Sequence, residues 1–311
     1  MRAVAVFVVA LALAGCVAPI DPGPTVAQLS DATKSTRAAM QEYDRDLVAY
    51  RNAQIRTRAL EVPIRVQAAR GTCVEGGVSC RVVVPLADGS LSELAVGSAL
   101  GKTLEALDEI VLYMETLGGL AAAETDADLA AMADRAANSV AALASLAQVA
   151  IPGAGAIAPF APAVGRAVAW VAGQAREQAK LVALRDASAA MQTVLAPAST
   201  FFADIADAAH ALKAVPARTA ALAALGRFNE SGGEANLAAL VKALAAADAL
   251  AAAKPGQLFL DLNDAHKAFA DALAAPVFGR ENVRLAIAKV RAEAGRMTQL
   301  VKALRDAASQ S

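Results

Sequence analysis

The stretch TVAQLSDATKSTRAAMQEYDRDLVAYRNAQIRTRALEV, residues 25–62, decides the fold class of this chain. Its seam side chains recur at alternating steps of three and four residues, which keeps one face of a helix against a partner helix. The seam positions are Val26, Leu29, Thr33, Thr36, Met40, Tyr43, Leu47, Tyr50 and Gln54. The pattern predicts one helix of about 57 Å, at 1.5 Å per residue. Pro63 ends it.

A second seam lies at the other end of the chain, in a helix predicted from Arg280 to about Ala308. Its positions are Val283, Ile287, Val290, Ala294, Met297, Val301, Leu304 and Ala308. Helices are also predicted from residue 90 to 117, 126 to 150, 163 to 196, 200 to 228 (with a kink at Pro216), 232 to 253, and 257 to 275. These elements predict an all-α fold, an elongated multi-helix bundle in which the two seamed helices pack together. The competing arrangement is two bundles divided near residue 197.

One segment, residues 63–86, has a different character. It is rich in Val and Ile, and Gly76-Gly77 lies midway between Cys73 and Cys80. This pattern predicts a small β-hairpin. A lone hairpin is marginal in water, and a Cys73–Cys80 disulfide would stabilise it by about 2.5 kcal/mol. The two thiols lack the further ligands of a zinc site.

Composition limits the function classes. The chain has 311 residues, 29 Lys and Arg against 30 Asp and Glu, and 84 alanines. A near-neutral chain is not an electrostatic binder of nucleic acid. High alanine content favours helices that approach each other closely.

The N-terminal residues have the pattern of an export signal. The run from Ala3 to Gly15 is uncharged and follows Arg2; it is shorter than the roughly 20 residues of a membrane span, and it has the layout of a secretory signal. The four residues Leu13-Ala14-Gly15-Cys16 resemble the lipobox of bacterial lipoproteins. The resemblance implies that residues 1–15 are a signal peptide cleaved before Cys16, and that Cys16 carries fatty acyl groups of the palmitate type.

Further expectations rest on that resemblance. Residues 16–24, with three prolines, would form a flexible tether between lipid and bundle. Val17 stands where Asp is the familiar signal for inner-membrane retention, which favours an outer-membrane anchor with the protein facing the periplasm. An exported chain meets an oxidising compartment, where a disulfide is the natural state of the Cys73 and Cys80 pair.

An apolar stretch in the middle of the chain has an open role. No charge occurs from Ala136 to Gly165, and residues 149–165 contain three prolines and three glycines. We predict that this segment is an irregular connection between two helices that form a hairpin, with Ile151, Ile157, Phe160 and Trp170 as its candidate contact residues. Three roles are open: the connection folds into the bundle core, enters a membrane, or binds a partner protein.

No catalytic motif is recognisable in the sequence. His210 and His266 each follow nearby aspartates, which is interpreted as a solvated helix face rather than a metal site. The sequence therefore predicts no catalytic residue, no metal and no cofactor. We expect a non-enzymatic scaffold or adaptor with an envelope protein as partner. The alternatives are a membrane-active protein that inserts residues 149–165 and a ligand-binding helical bundle; the oligomeric state stays open.

Overall fold

The computed structural model of the protein describes residues 21–60, 82–85, 91–94, 98, 100–150 and 176–308. Within these ranges the chain forms seven helices and one pair of short strands, which confirms the all-α class. The elements are α1 (Gly23–Leu60), β1 (Val82–Pro85), β2 (Leu91–Leu94), α2 (Gly101–Ala122), α3 (Asp126–Ala150), α4 (Arg176–Ser231), α5 (Glu234–Ala252), α6 (Gln257–Ala274) and α7 (Arg280–Ala308).

The two seamed helices pack on each other, as predicted. Seam residues from Val26 to Tyr50 in α1 are at most 1 % exposed. The two threonines of this seam donate their hydroxyls to carbonyls one turn earlier, Thr33 to Leu29 and Thr36 to Ala32, both at 2.9 Å. Polar seam positions are therefore satisfied within their own helix, and the seam stays continuous.

Polar contacts fix the helix directions. Arg280 Nη2 donates to the Asp21 carbonyl at 2.8 Å, and Arg305 Nε lies 2.8 Å from Asp46 Oδ2, so α7 runs parallel to α1. Helix α2 runs antiparallel to α1. Two ion pairs show this direction, Lys34–Glu115 at 2.9 Å and Arg37–Asp108 at 2.7 Å. We call the end of the bundle that holds Asp21 the base.

The long helix α4 runs from the base to the opposite end. Helix α6 packs on the lower part of α4 and runs antiparallel to it. Two hydrogen bonds show this direction: Gln192 donates to Asn263, and the Gly256 amide donates to Asp207. The upper part of α4 is covered by antiparallel α5. Gly232 and Gly233, with φ of 59° and 88°, make the turn between α4 and α5, where residues with a Cβ would be strained. We call this end the tip.

The described helices on either side of residues 151–175 are parallel to each other, whereas the predicted hairpin at residues 149–165 lies almost entirely outside the described residues. Arg176 Nε lies 3.8 Å from Asp126 Oδ1, so α3 and α4 begin at the same end and run in the same direction. Ala150 is therefore about 37 Å from that end, the length of the 25 residues of α3 at 1.5 Å each. Sequence periodicity carries no information on helix direction, so it could not predict that α3 and α4 are parallel; a hairpin between α3 and residues 163–175 stays a prediction.

The predicted helix end before Pro197 was also wrong. Helix α4 continues for 56 residues through Pro197 and Pro216. Pro197 is exposed, so the Thr193 carbonyl that loses its helical donor lies on the solvent side, where water can satisfy it. Residue 197 is thus not a helix boundary.

The strand region differs from its prediction. β1 pairs antiparallel with β2, with Val82 opposite Leu94 and Pro85 opposite Leu91. The sequence assigned Ser90–Glu93 to a helix start, whereas α2 begins at Gly101 and continues past Gly118-Gly119 to Ala122. The predicted first strand, Cys73 and Cys80 lie outside the described residues.

Candidate functional site

All seven predicted site residues lie outside the described residues. These are the lipidation residue Cys16, the disulfide pair Cys73 and Cys80, and the contact residues Ile151, Ile157, Phe160 and Trp170. Their assignments stay predictions. The candidate chemistry that the structure does describe is at His210, at His266 and on an exposed surface near the tip.

The interpretation of both histidines as parts of solvated helix faces was wrong. His210 is 4 % exposed and His266 is fully buried, although the neighbouring Asp204 and Asp264 are exposed. Acidic residues at these spacings therefore do not predict the orientation of a histidine between them. Helix rotation, which packing sets, turns both imidazoles into the core.

His210 joins three helices. Its Nδ1 lies 2.7 Å from the Tyr43 hydroxyl of α1, and its Nε2 faces the Leu250 carbonyl of α5. A carbonyl can only accept, so Nε2 carries a proton, and in the neutral imidazole the Tyr43 hydroxyl donates to Nδ1. Burial lowers the pKa of His210, while the Leu250 carbonyl and Asp207 oppose that shift. The lowered pKa favours the neutral imidazole.

His266 forms a second bridge nearer the base. Its Nδ1 lies 2.7 Å from Gln192 Oε1 of α4, and its Nε2 lies 3.2 Å from the Tyr113 hydroxyl of α2. Gln192 Oε1 can only accept, so Nδ1 carries the proton. Burial lowers the pKa of His266 to about 4 and raises the pKa of Tyr113. Both groups are therefore uncharged at neutral pH.

These two Tyr–His pairs are almost entirely buried. Tyr43, Tyr113 and His266 are each 0 % exposed, and His210 is 4 % exposed. A substrate could not reach the His266 imidazole without separation of the helices, and His210 offers it almost no surface. The pairs therefore join helices rather than present a reactive group.

Surface grooves offer the space for a small ligand. One groove of about 480 Å³ lies among α5, α6 and α7, where Lys254, Glu293 and Arg296 line it beside Met297 and Leu300. Another, of about 440 Å³, lies between α1 and α2 near the base. Within the described part of the chain, no group of three His, Cys, Asp or Glu side chains could hold a metal ion.

The hairpin of α4 and α5 exposes large apolar side chains near the tip. They are Leu222 at 61 %, Leu225 at 40 %, Leu237 at 46 %, Val241 at 58 % and Leu244 at 46 % exposure. We call these five residues the tip surface. Behind them, Ala221, Ala224, Leu240 and Ala243 form a small core that is separate from the main one.

All five residues lie on the same side of the hairpin. Leu222 and Leu225 flank the buried face of α4, and Leu237, Val241 and Leu244 flank the buried face of α5. Because the helices are antiparallel, these two flanks turn to the same side. Helix α7 is on the other side, where its Asp306 lies 3.4 Å from Lys242.

Sequence reasoning predicted the helix at α5 but missed its exposed surface. An available signal was the scarcity of charge, since Lys242 and Asp248 are the charged residues after Glu234 in this helix. Mean hydropathy over an 18-residue window of α5 is 1.5, and 22 % of that window is buried. By length and composition α5 would suffice to cross a membrane, which is weak evidence from one helix.

The fold defines an all-α helical bundle with a separate apolar surface at one end. Searches of family models, curated proteins and solved structures find no match to this chain. The function is therefore argued from the residues and their geometry.

Proposed function

We propose that the protein is a lipid-anchored lipoprotein of the cell envelope, held at the outer membrane through Cys16 and facing the periplasm. It acts there as a non-enzymatic helical scaffold or adaptor. The proposal includes a disulfide between Cys73 and Cys80. No nucleic acid, metal or cofactor enters it.

The observation that carries the proposal is the separation of the two ends of the bundle. Asp21 is at the base, five residues after Cys16, and the tip surface is at the far end. Tyr43 contacts His210, and the path along α1 from Gly23 to Tyr43 and then along α4 from His210 to Ser231 is about 60 Å long at 1.5 Å per residue. A lipid at the base would leave the apolar tip surface free to meet a protein away from the membrane.

Two measurements test this function. Mass spectrometry of the N-terminal peptide should find a modified Cys16, and a Cys16→Ala variant should leave the membrane fraction. Crosslinking in the native envelope should yield a covalent complex in which a protein is attached at the tip. That protein is either a different envelope protein or a second copy of this chain. An unmodified N-terminus or unchanged localisation of the variant would refute the anchor.

A membrane-active protein is the second candidate, and the exposed, apolar helix α5 favours it. In this case unlipidated protein should release dye from liposomes. A Val241→Asp variant should release less dye if α5 inserts, and a Phe160→Asp variant should release less if residues 149–165 insert. No leakage from the unsubstituted protein would exclude this activity.

A ligand-binding bundle is the third candidate, favoured by the groove of about 480 Å³. Its lining mixes the charges of Lys254, Glu293 and Arg296 with apolar carbons. A Leu300→Trp substitution would fill it. If a bound molecule co-purifies with the protein and is lost from this variant, the groove is a binding site.

A further inference from the structure

The tip surface has the pattern of an unpaired coiled-coil seam. On α4, Arg218, Leu222, Leu225 and Asn229 follow one another at steps of four, three and four residues. On α5, Leu237, Val241, Leu244 and Asp248 have the same steps. Steps of this kind place side chains in a row that packs against another helix. The hairpin therefore presents two such rows, which two further helices would cover.

The large exposed apolar side chains of the tip surface do not continue toward the base. Below the tip surface, the described exposed residues on the same side of α4 are small or polar: Thr193, Pro197, Thr200, Asp204, Ala208 and Ala211. Among the described residues, the large exposed apolar side chains on this side of α4 are thus confined to its upper part. A local patch of this kind indicates a specific contact.

The charges at the base-side end of the two rows are opposite. Arg218 lies one step below Leu222 on α4, and Asp248 lies one step below Leu244 on α5; both are exposed. The contact between His210 and Leu250 shows which levels of the two helices correspond. By that register, Arg218 and Asp248 are at the same height along the hairpin to within about two helical turns. The long arginine side chain can bridge part of this offset.

We infer that a second copy of this chain covers the tip surface, about a twofold axis parallel to the bundle axis. This rotation keeps the level of every residue and sets α4 of one copy against α5 of the other. Arg218 of each copy then meets Asp248 of its partner, and Leu222 and Leu225 meet Leu237, Val241 and Leu244. The four helices form a bundle in which adjacent helices are antiparallel.

The alternative axis, perpendicular to the helices, fits less well. It would move Arg218 away from Asp248 and toward Asn229 and the tip of the other copy. It would also direct the two bases to opposite sides. The parallel axis brings both bases to one side, which suits two anchors in one membrane; this point alone rests on the proposed function.

The size of the surface sets the expected strength of the contact. Stable protein pairs bury about 800 Å² on each partner, and five half-exposed side chains with the alanines around them offer less. We therefore expect a weak dimer in solution. Two anchors in one membrane raise the effective concentration and strengthen the pairing.

Charge reversal tests the pairing in the unlipidated mature chain (residues 16–311 with Cys16→Ser). Sedimentation equilibrium should detect a dimer, and Arg218→Glu or Asp248→Arg should each weaken it by about tenfold, because each places like charges together twice. The double variant should restore it. A monomer at every concentration, or a double variant no better than the single ones, would overturn the inference.

Cysteine crosslinking tests the geometry. A Leu222→Cys chain mixed with a Val241→Cys chain should form a mixed disulfide, whereas either chain alone should form much less. Val241→Glu should abolish the dimer. The matched control is Leu285→Glu, a substitution of a leucine that is 56 % exposed on α7 away from the tip surface, and it should leave the dimer unchanged. Equal loss in both glutamate variants would contradict the assigned surface.

The readouts separate this inference from the proposed function. Sedimentation and crosslinking of unlipidated protein do not depend on Cys16. An unmodified Cys16 with a charge-dependent dimer refutes the anchor alone. A modified Cys16 with a monomeric chain refutes the dimer alone.

Discussion

His266 links the stability of the bundle to pH at the scale of one residue. Its pKa is lowered from 6.5 to about 4 by burial, so the unfolded chain binds the proton more tightly than the folded one. The folded state is therefore most favoured above pH 6.5, and its stability falls as the pH drops toward 4. The groups in contact with the imidazole, Tyr113 and Gln192, carry no charge in this range.

We expect this residue to contribute up to about 3 kcal/mol to the loss of stability between pH 6.5 and pH 4. Urea unfolding at several pH values would measure the loss in the natural chain and in a His266→Gln variant. The variant should be less stable at pH 7, and its stability should depend less on pH. The same pH dependence in both chains would contradict the role of His266.

Gly256 is a residue at which two helices come too close for a side chain. A Cβ at this position would overlap the backbone carbonyl of Ala203 in α4. Its amide also donates to Asp207 at 2.7 Å, which holds the start of α6 against α4. The close approach is between backbones, so no side-chain rotation relieves it.

We expect Gly256→Ala to lower the free energy of unfolding by about 1–3 kcal/mol. Gly118→Ala is the matched control, because a Cβ there meets nothing within 4 Å inside a helix, and it should raise the free energy of unfolding by about 0.4–1 kcal/mol. Thermal unfolding would compare the two. Equal effects would mean that the contact between α4 and α6 relaxes freely.

Helix α7 separates a buried face from an exposed one at the scale of the element. Leu304 is fully buried in its seam and Leu285 is 56 % exposed, so the same substitution samples both faces. The parallel packing of α7 on α1 makes this seam part of the main core.

Leu304→Ala should cost about 2–5 kcal/mol, since it removes buried methyl groups and leaves a cavity. Leu285→Ala should change stability by less than about 0.5 kcal/mol. Chemical denaturation of both variants would measure the difference. A cost of less than about 1 kcal/mol for Leu304→Ala would show that the seam collapses around the gap.

At the scale of the whole molecule, the direction of every helix follows from the polar contacts between neighbours. The base holds Asp21, the start of α7 and the loop before it, whereas the α4–α5 turn is at the tip. An anchor at Cys16 would therefore hold the base close to the membrane and leave the tip far from it.

We expect a fluorophore on Val277→Cys, near the base, to be quenched by lipid-attached quenchers when the lipidated protein is in vesicles. A fluorophore on Glu230→Cys, at the tip, should be protected, because the α4–α5 turn is at the end of the bundle opposite the base. The labelling would be done without reductant, to leave a Cys73–Cys80 disulfide intact. Equal quenching would contradict an upright molecule anchored at its base.

Several elements could be predicted from the sequence because their signals are local. The α1 and α7 seams, the Lys254-Pro255-Gly256 turn and the Thr125 cap of α3 depend on residues within a few positions of one another. The cap is present as reciprocal hydrogen bonds between Thr125 and Asp128. Local propensity and spacing decide such features.

By itself, the sequence determined the all-α class and the two seams; the lipid anchor at Cys16 stays a prediction. The tertiary structure decided that α3 and α4 run in parallel, that His210 and His266 face the core, and that α4 continues through Pro197. It also decided that the leucines of α4 and α5 stay exposed on one side. Helix direction and rotation depend on which distant segments pack together, because the free energy of burial belongs to contacts between helices and not to any one of them.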